Sequence, residues 1–238
     1  MEMKVPMIDE QILSLFWPLF LAHKPVQLLN VFHGVPISYE ATISMISQTY
    51  LGLSVHRYQA VCIALEKYTY LQSEKLPHSI RAHSVAVDIR EQEVLLDQLI
   101  HPSDNLGNRT NLRVQPKEPI IIEIHKNGYR YIARLADLSL QGMDKFTLGI
   151  QGEHEFNLRQ NQEVELSLKL PGADSQFCIC GVAGRHSFDQ QKKLHRLKIQ
   201  LSPDSSSEPV LADYISQRQA EIMQELELLY KSMRKPRL

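Results

Sequence analysis

The chain has 238 residues, 43% of them hydrophobic and 22% charged, which suits one large domain or two ordinary ones and rules out wholesale disorder. Its formal net charge of -1 argues against a protein whose main task is coating DNA or RNA, since that affinity comes from clustered cations that neutralise phosphates. Cys62, Cys178 and Cys180 are odd in number, and no secretory signal is recognisable, so the expectation is reduced thiols in a cytoplasmic protein. Cys178 and Cys180 share one face of a strand; two such ligands are too few for zinc, and core packing is expected of them.

Residues 9–22 read as one short amphipathic helix capped by Asp9, with Ile12, Leu13, Leu15, Phe16, Leu19 and Phe20 forming its apolar face. It is expected to lie as a lid on a neighbouring sheet, with a surface-binding helix as the alternative. The apolar run 12–22 is about half the length needed to span a bilayer, and Pro18 interrupts it, so no membrane span is expected. The period then shortens. Segments 26–32, 41–47, 50–56, 68–73, 79–88 and 93–99 are rich in β-branched and aromatic residues bounded by turn formers such as His33-Gly34-Val35-Pro36, and predict a small barrel. Residues 58–67 fit a helix or a strand equally well. His33, His56, His78 and His83 lack the spacing of a metal site and read as ordinary surface or core histidines.

The richest turn-forming cluster, His101 to Asn108, is the expected linker, dividing a domain over 1–104 from one over 105–238. Beside it stand Arg109 and Arg113, an R-x-x-x-R. Two apolar runs, 120–126 and 129–135, follow, joined by Asn127-Gly128, the strongest short-range signal for a hairpin. Directly after the second run comes Asp137-Leu138-Ser139-Leu140-Gln141-Gly142, a D-x-S-x-x-G. The hairpin folds this second constellation back toward the arginines. Either motif alone is an unremarkable polar sequence; their order with a hairpin between them is the informative feature.

That order resembles the signature of the PilZ domain, and Arg109, Arg113, Asp137, Ser139 and Gly142 match it position by position. The resemblance implies a six-stranded antiparallel barrel with a C-terminal helix, and the bacterial messenger cyclic di-GMP as ligand. The first barrel is similar in its order of elements to the one preceding PilZ domains in two-domain receptors, the flagellar-brake proteins among them. The fold expected is therefore mainly β: an N-terminal split barrel and a C-terminal PilZ barrel, with a short N-terminal helix and a C-terminal helix. The implied roles are chemically coherent. Arginine forks onto phosphate, reads guanine O6 and N7, and stacks on purine planes. Asp137 would accept from guanine N1 and N2, Ser139 would offer a hydroxyl, and Gly142 would let the backbone approach the ring. Two departures stand out: Gly107 and Asn108 occupy positions where many relatives carry Arg or Gln, which bears on ligand stoichiometry, and Lys198 stands where the family often has glycine.

Strands are further expected at 146–150, 164–170, 177–184 and 194–201, with Arg185 and His186 in a solvated loop. Ser205-Ser206-Ser207-Glu208-Pro209 announces a helix with serine caps. Ile215, Gln219, Ile222, Leu226, Leu229 and Met233 then form a short heptad seam, whose second half is a candidate for homodimerisation. The expectation is a non-enzymatic cyclic di-GMP receptor without cofactor or metal. In it the ligand changes the arrangement of the barrels and so controls motility, polysaccharide or attachment through a protein partner. The alternatives are a PilZ-fold adaptor that binds no nucleotide and a nucleic-acid-binding regulator using the basic tail 234–237 or the first barrel.

Overall fold

A computed structural model of the chain describes residues 10–102, 112–139, 146–151, 158–172 and 176–234. Asp9, Arg109, Gly142, most of the expected linker and the tail residues 235–237 lie outside them. The described residues fall into two compact units, one within Met1–Phe32, Pro36–Thr110 and Met223–Leu238, the other within His33–Val35 and Asn111–Ile222.

The first unit holds two short helices, α1 (Glu10–Ser14) and α2 (Trp17–Leu21), where one was expected. Pro18 is the reason: it has no N–H to give the carbonyl of Ser14, and it is accommodated instead in the first turn of a new helix. Strands β1 (Val26–Phe32), β2 (Val35–Ile46), β3 (Leu51–Ser54), β4 (Tyr68–Gln72), β5 (Ile80–Asp88) and β6 (Glu93–Ile100) close a barrel in the order β1-β2-β3-β6-β5-β4. Strand β2 starts six residues earlier than expected, since the two-residue turn His33-Gly34, with φ of 48° and 89°, lets pairing begin at once. Between β3 and β4 the ambiguous segment is a helix, α3 (Arg57–Glu66). His56 Nδ1 accepts from Tyr58 N at its start, and Lys67 in the left-handed region ends it.

The core of this barrel includes Phe16, Leu28, Leu51, Leu53, Ile63, Leu71, Ile80 and Leu96, all fully buried. Beside it lies a polar node. The Asn30 amide donates to Glu66 Oε2 at 2.6 Å and accepts from Gln59 Nε2 at 2.5 Å and Thr69 Oγ1 at 2.8 Å. Burial raises the Glu66 carboxyl above the usual range, opposed by its bond from Asn30.

The second unit contains β7 (Ile121–Lys126), β8 (Tyr129–Leu138), β9 (Phe146–Gln151), β10 (Glu163–Leu168), β11 (Phe177–Asp189) and β12 (Leu194–Ser202). They close a second six-stranded antiparallel barrel in the order β10-β11-β12-β9-β8-β7. Asn127 and Gly128 take the positive φ values of the expected turn, pairing Lys126 with Tyr129. Inward residues include Ile122, Ile124, Leu135, Phe146, Leu148, Leu166, Ile179, Leu197 and Ile199. The same alternation overturns one expectation: with Ile179 turned in, Cys178 and Cys180 point outward and are exposed, and only Cys62 is buried. Among the described residues no group of three potential ligands could hold a metal ion, and no helix is long and apolar enough to cross a membrane.

Helix α4 (Ser207–Met233) belongs to the second unit through Ile222 and to the first from Met223 on. Its start differs from the serine cap expected. The Asp204 carboxylate accepts from Ser207 N at 2.8 Å, Ser207 Oγ at 2.6 Å and both the amide and hydroxyl of Ser206, so the serines donate to the cap. Of the heptad seam, Ile215, Ile222 and Leu226 are buried by the chain itself, so their burial requires no second copy. Within the first unit, Glu227 Oε2 accepts from the Tyr58 hydroxyl at 3.0 Å and pairs with Arg57 at 3.2 Å.

The hydrogen bonds from Ser207, then those from Ser206, hold the Asp204 carboxyl down at about 2, against an ordinary 3.8. A depressed folded-state value means that this cap contributes its full stabilisation above the ordinary value and loses it as pH falls toward 2. Acid titration of the helical circular-dichroism signal should therefore show a loss between about pH 4 and 2 that is absent in Asp204→Ala, a variant that melts lower than the wild type at pH 7.

Candidate functional site

The site is assembled by a single antiparallel bridge. Val114 donates to Leu138 O at 2.9 Å and Leu138 donates to Val114 O at 3.0 Å, which ties the segment carrying Arg113 to the last residue of β8. Just before that residue, the register between β8 and β9 shifts between Leu135 and Asp137, and this bulge brings Asp137 opposite Thr147.

Across the bridge, Arg113 Nη1 donates to Asp137 Oδ1 at 2.8 Å. Thr147 Oγ1 donates to the same oxygen at 2.9 Å and stands 3.5 Å from Arg113 Nη1. The Arg113 and Asp137 side chains keep 15% and 20% of their surface, so the pair is sheltered yet still reachable by a solute. Ser139 is buried, and its hydroxyl donates to Leu112 O at 2.7 Å, fixing the residue before Arg113. The backbone is also held at Gln115, whose N–H donates to His33 O at 3.0 Å within the second unit. The fit there is close: a methyl at Gly34 would stand 2.8 Å from the Arg113 carbonyl oxygen, and φ of 89° already favours glycine.

The structure thus brings together Arg113, Asp137 and Ser139 of the expected residues; Arg109 and Gly142 lie outside the described ones. It adds Thr147, which motif reading missed, since a threonine in a strand carries no sequence signal and only the bulged register shows that it faces Asp137. Lys198 pairs with Thr147 on the other side, so strand alternation puts it on the same outer face as Asp137. His186 is not in a loop: β11 runs to Asp189, and His186 Nε2 lies 2.9 Å from His195 Nδ1, the rings stacked. Burial, then the neighbouring His195, lowers the His186 imidazole below its ordinary range. A cleft of about 730 Å³, lined by His125, Arg130, Glu165 and Cys180 among others, lies elsewhere and includes none of Arg113, Asp137 and Ser139.

Chemically, the cluster presents a guanidinium, a carboxylate and the Thr147 hydroxyl at the end of one sheet, with the Ser139 hydroxyl buried against the Leu112 carbonyl. It can exchange an internal ion pair for a ligand bearing both an anion and N–H donors.

No family model matches the chain, and no curated protein matches it in sequence. Solved structures do resemble it. The inhibitor of motility MotI/DgrA of Bacillus subtilis is 12% identical, with 84% of this chain and 97% of that one covered and a TM-score of 0.39. YcgR of Escherichia coli, solved in complex with c-di-GMP, is 14% identical, with 92% and 93% covered and a TM-score of 0.40. The PlzA protein of Borreliella burgdorferi, also in complex with c-di-GMP, is 14% identical, with 89% and 93% covered and a TM-score of 0.31.

The ion pair itself can be tested without any ligand. A double-mutant cycle of Arg113→Ala and Asp137→Ala, read by urea unfolding, should give a favourable coupling of about 1 kcal/mol, the upper end for pairs this accessible. A coupling within error of zero contradicts the geometry.

Proposed function

We propose that the chain is a cyclic di-GMP receptor of the PilZ type that acts by binding and not by turnover. The observation that carries this reading is the convergence of Arg113 and Asp137 at 2.8 Å. They come from separate halves of an R-x-x-x-R and D-x-S-x-x-G sequence and meet at the end of a six-stranded barrel. Two independent stretches of a resemblance thereby meet in one place.

In the proposed complex, Arg113 turns from Asp137 to a phosphate or to guanine O6 and N7, and the released carboxylate accepts from guanine N1 and N2. Thr147 follows Asp137 and keeps it oriented. Arg109 and Gly142 are proposed as further ligand contacts from their motif positions, the first as a second guanidinium and the second as a point of close backbone approach. Ligand binding is proposed to change the arrangement of the two barrels and so present a surface to a protein partner. A switch of motility, surface polysaccharide or attachment is the process this chemistry suits.

Isothermal titration of cyclic di-GMP into the full chain, with GTP as the comparison ligand, tests the reading. Saturable heat is expected, with Arg113→Ala weakening the affinity by about 2 kcal/mol, roughly 30-fold, the scale of a lost hydrogen bond to a charged group. Absence of both heat and a thermal shift with the wild type overturns it.

A further inference from the structure

One buried cation remains to be explained. Arg218, on α4, is 4% exposed, and nearly all of its surface is removed from water. A guanidinium in that position is costly unless its donors are well used. Its Nη1 pairs with Glu221 Oε2 at 3.1 Å, one turn along the helix, but the Glu221 side chain is 37% exposed, and such pairs contribute little. The shorter bond goes elsewhere: Arg218 Nε donates to the backbone carbonyl of Gln115 at 2.9 Å, across 103 residues of sequence.

Gln115 is two residues from Arg113, immediately beyond the Val114–Leu138 bridge. At this point the chain leaves the Val114–Leu138 bridge, and among the described residues the Gln115 carbonyl has no strand ladder to join. A charge-assisted bond from a rigid donor is the strongest substitute available. The donor is rigid because Leu211, Tyr214, Ile215 and Ile222 seat the same stretch of α4 by burial. The segment is consequently pinned on both sides of Arg113, by Ser139 at Leu112 and by Arg218 at Gln115.

We infer that Arg218 is a positioning residue for the candidate site: through the Gln115 carbonyl it holds Arg113 in the pose that receives the ligand, so α4 sets the affinity of the site. The inference rests on the reading of Arg113 as a ligand-binding residue. Arg218 itself does not touch the ligand. Its influence passes through two residues of backbone, where a small shift at Gln115 moves the Arg113 guanidinium off Asp137.

The test uses Arg218→Lys and Arg218→Gln in the full chain, with two readouts. Without ligand, the Val114 and Leu138 amides should exchange with solvent about tenfold faster than in the wild type, while Ile124 and Leu166, deep in the same barrel, stay unchanged. With ligand, the cyclic di-GMP affinity should fall about tenfold in the wild-type background and less than about twofold in the Arg113→Ala background, as expected if the two residues act through one contact. Unchanged exchange at Val114 and Leu138 overturns the inference, and so does an affinity loss of equal size in both backgrounds. If the wild type binds no cyclic di-GMP but the two amides still loosen, the ligand reading falls and the positioning role stands. Should the Arg218 variants fail to fold, the wild type decides: the Arg218 Nε–H, bonded to the Gln115 carbonyl, should exchange with solvent as slowly as the Val114 and Leu138 amides. Exchange at the rate of an exposed arginine also overturns it.

Discussion

Everything at the candidate site depends on two backbone hydrogen bonds, those between Val114 and Leu138. Val114 belongs to no named strand, and its pairing is an isolated bridge. Yet it determines which side chains can meet, because residues flanking an antiparallel pair share one face at fixed spacing. Arg113 and Asp137 lie diagonally across the bridge, a separation that a long side chain spans, and the bulge before Asp137 brings the carboxylate opposite Thr147. Without that bridge, Arg113 would be an exposed cation on an unpaired segment.

The surrounding contacts support the bridge more than they support the ligand. Ser139 lies one residue beyond the end of β8, where strand alternation no longer governs it, and it turns inward to hold Leu112. Its place in the D-x-S-x-x-G therefore has a structural meaning in this conformation: the aspartate faces the arginine, and the serine fixes the backbone that carries it. The close fit of Gly34 against the Arg113 carbonyl acts in the same sense. Barrel and helix provide a stiff frame, and Arg113, Asp137 and Ser139 sit at its rim.

Much of this was legible in the sequence, for physical reasons that differ by element. The β7–β8 hairpin was readable because Asn127-Gly128 has one favoured turn, and the barrel strands because alternation of apolar residues marks an inward face. The pairing of Arg113 with Asp137 could be anticipated only from the order of two motifs. What escaped depends on register. Cys178 and Cys180 looked like core because the composition of their strand does not say which parity faces inward, and Ile179 decides it. Thr147 and Arg218 gave no signal, because each acquires its role from a partner ten or more residues away, whereas Lys198 stood out only as a departure from the family pattern. The split of the N-terminal helix was different. Pro18, which argues against a membrane span, also removes an N–H from the helix and so divides it in two.

The pairing of Arg113 with Asp137 also bears on which ligands the site can select. A simple anion offered to Arg113 would replace one carboxylate by another charge and leave Asp137 and Thr147 with only each other. The exchange then returns little net free energy, because a charge sheltered from water is left without its partner. A guanine edge alone would satisfy Asp137 but leave the guanidinium with only ring acceptors. A ligand that carries an anionic oxygen and a pair of adjacent N–H donors at the right separation satisfies both halves at once. Guanine joined to phosphate has that combination, and a cyclic dinucleotide presents it without the flexibility of an open chain, so less ordering entropy opposes binding. If the proposed ligand is received here, the ion pair between Arg113 and Asp137 is the threshold it has to cross, set by residues that the fold already holds in place.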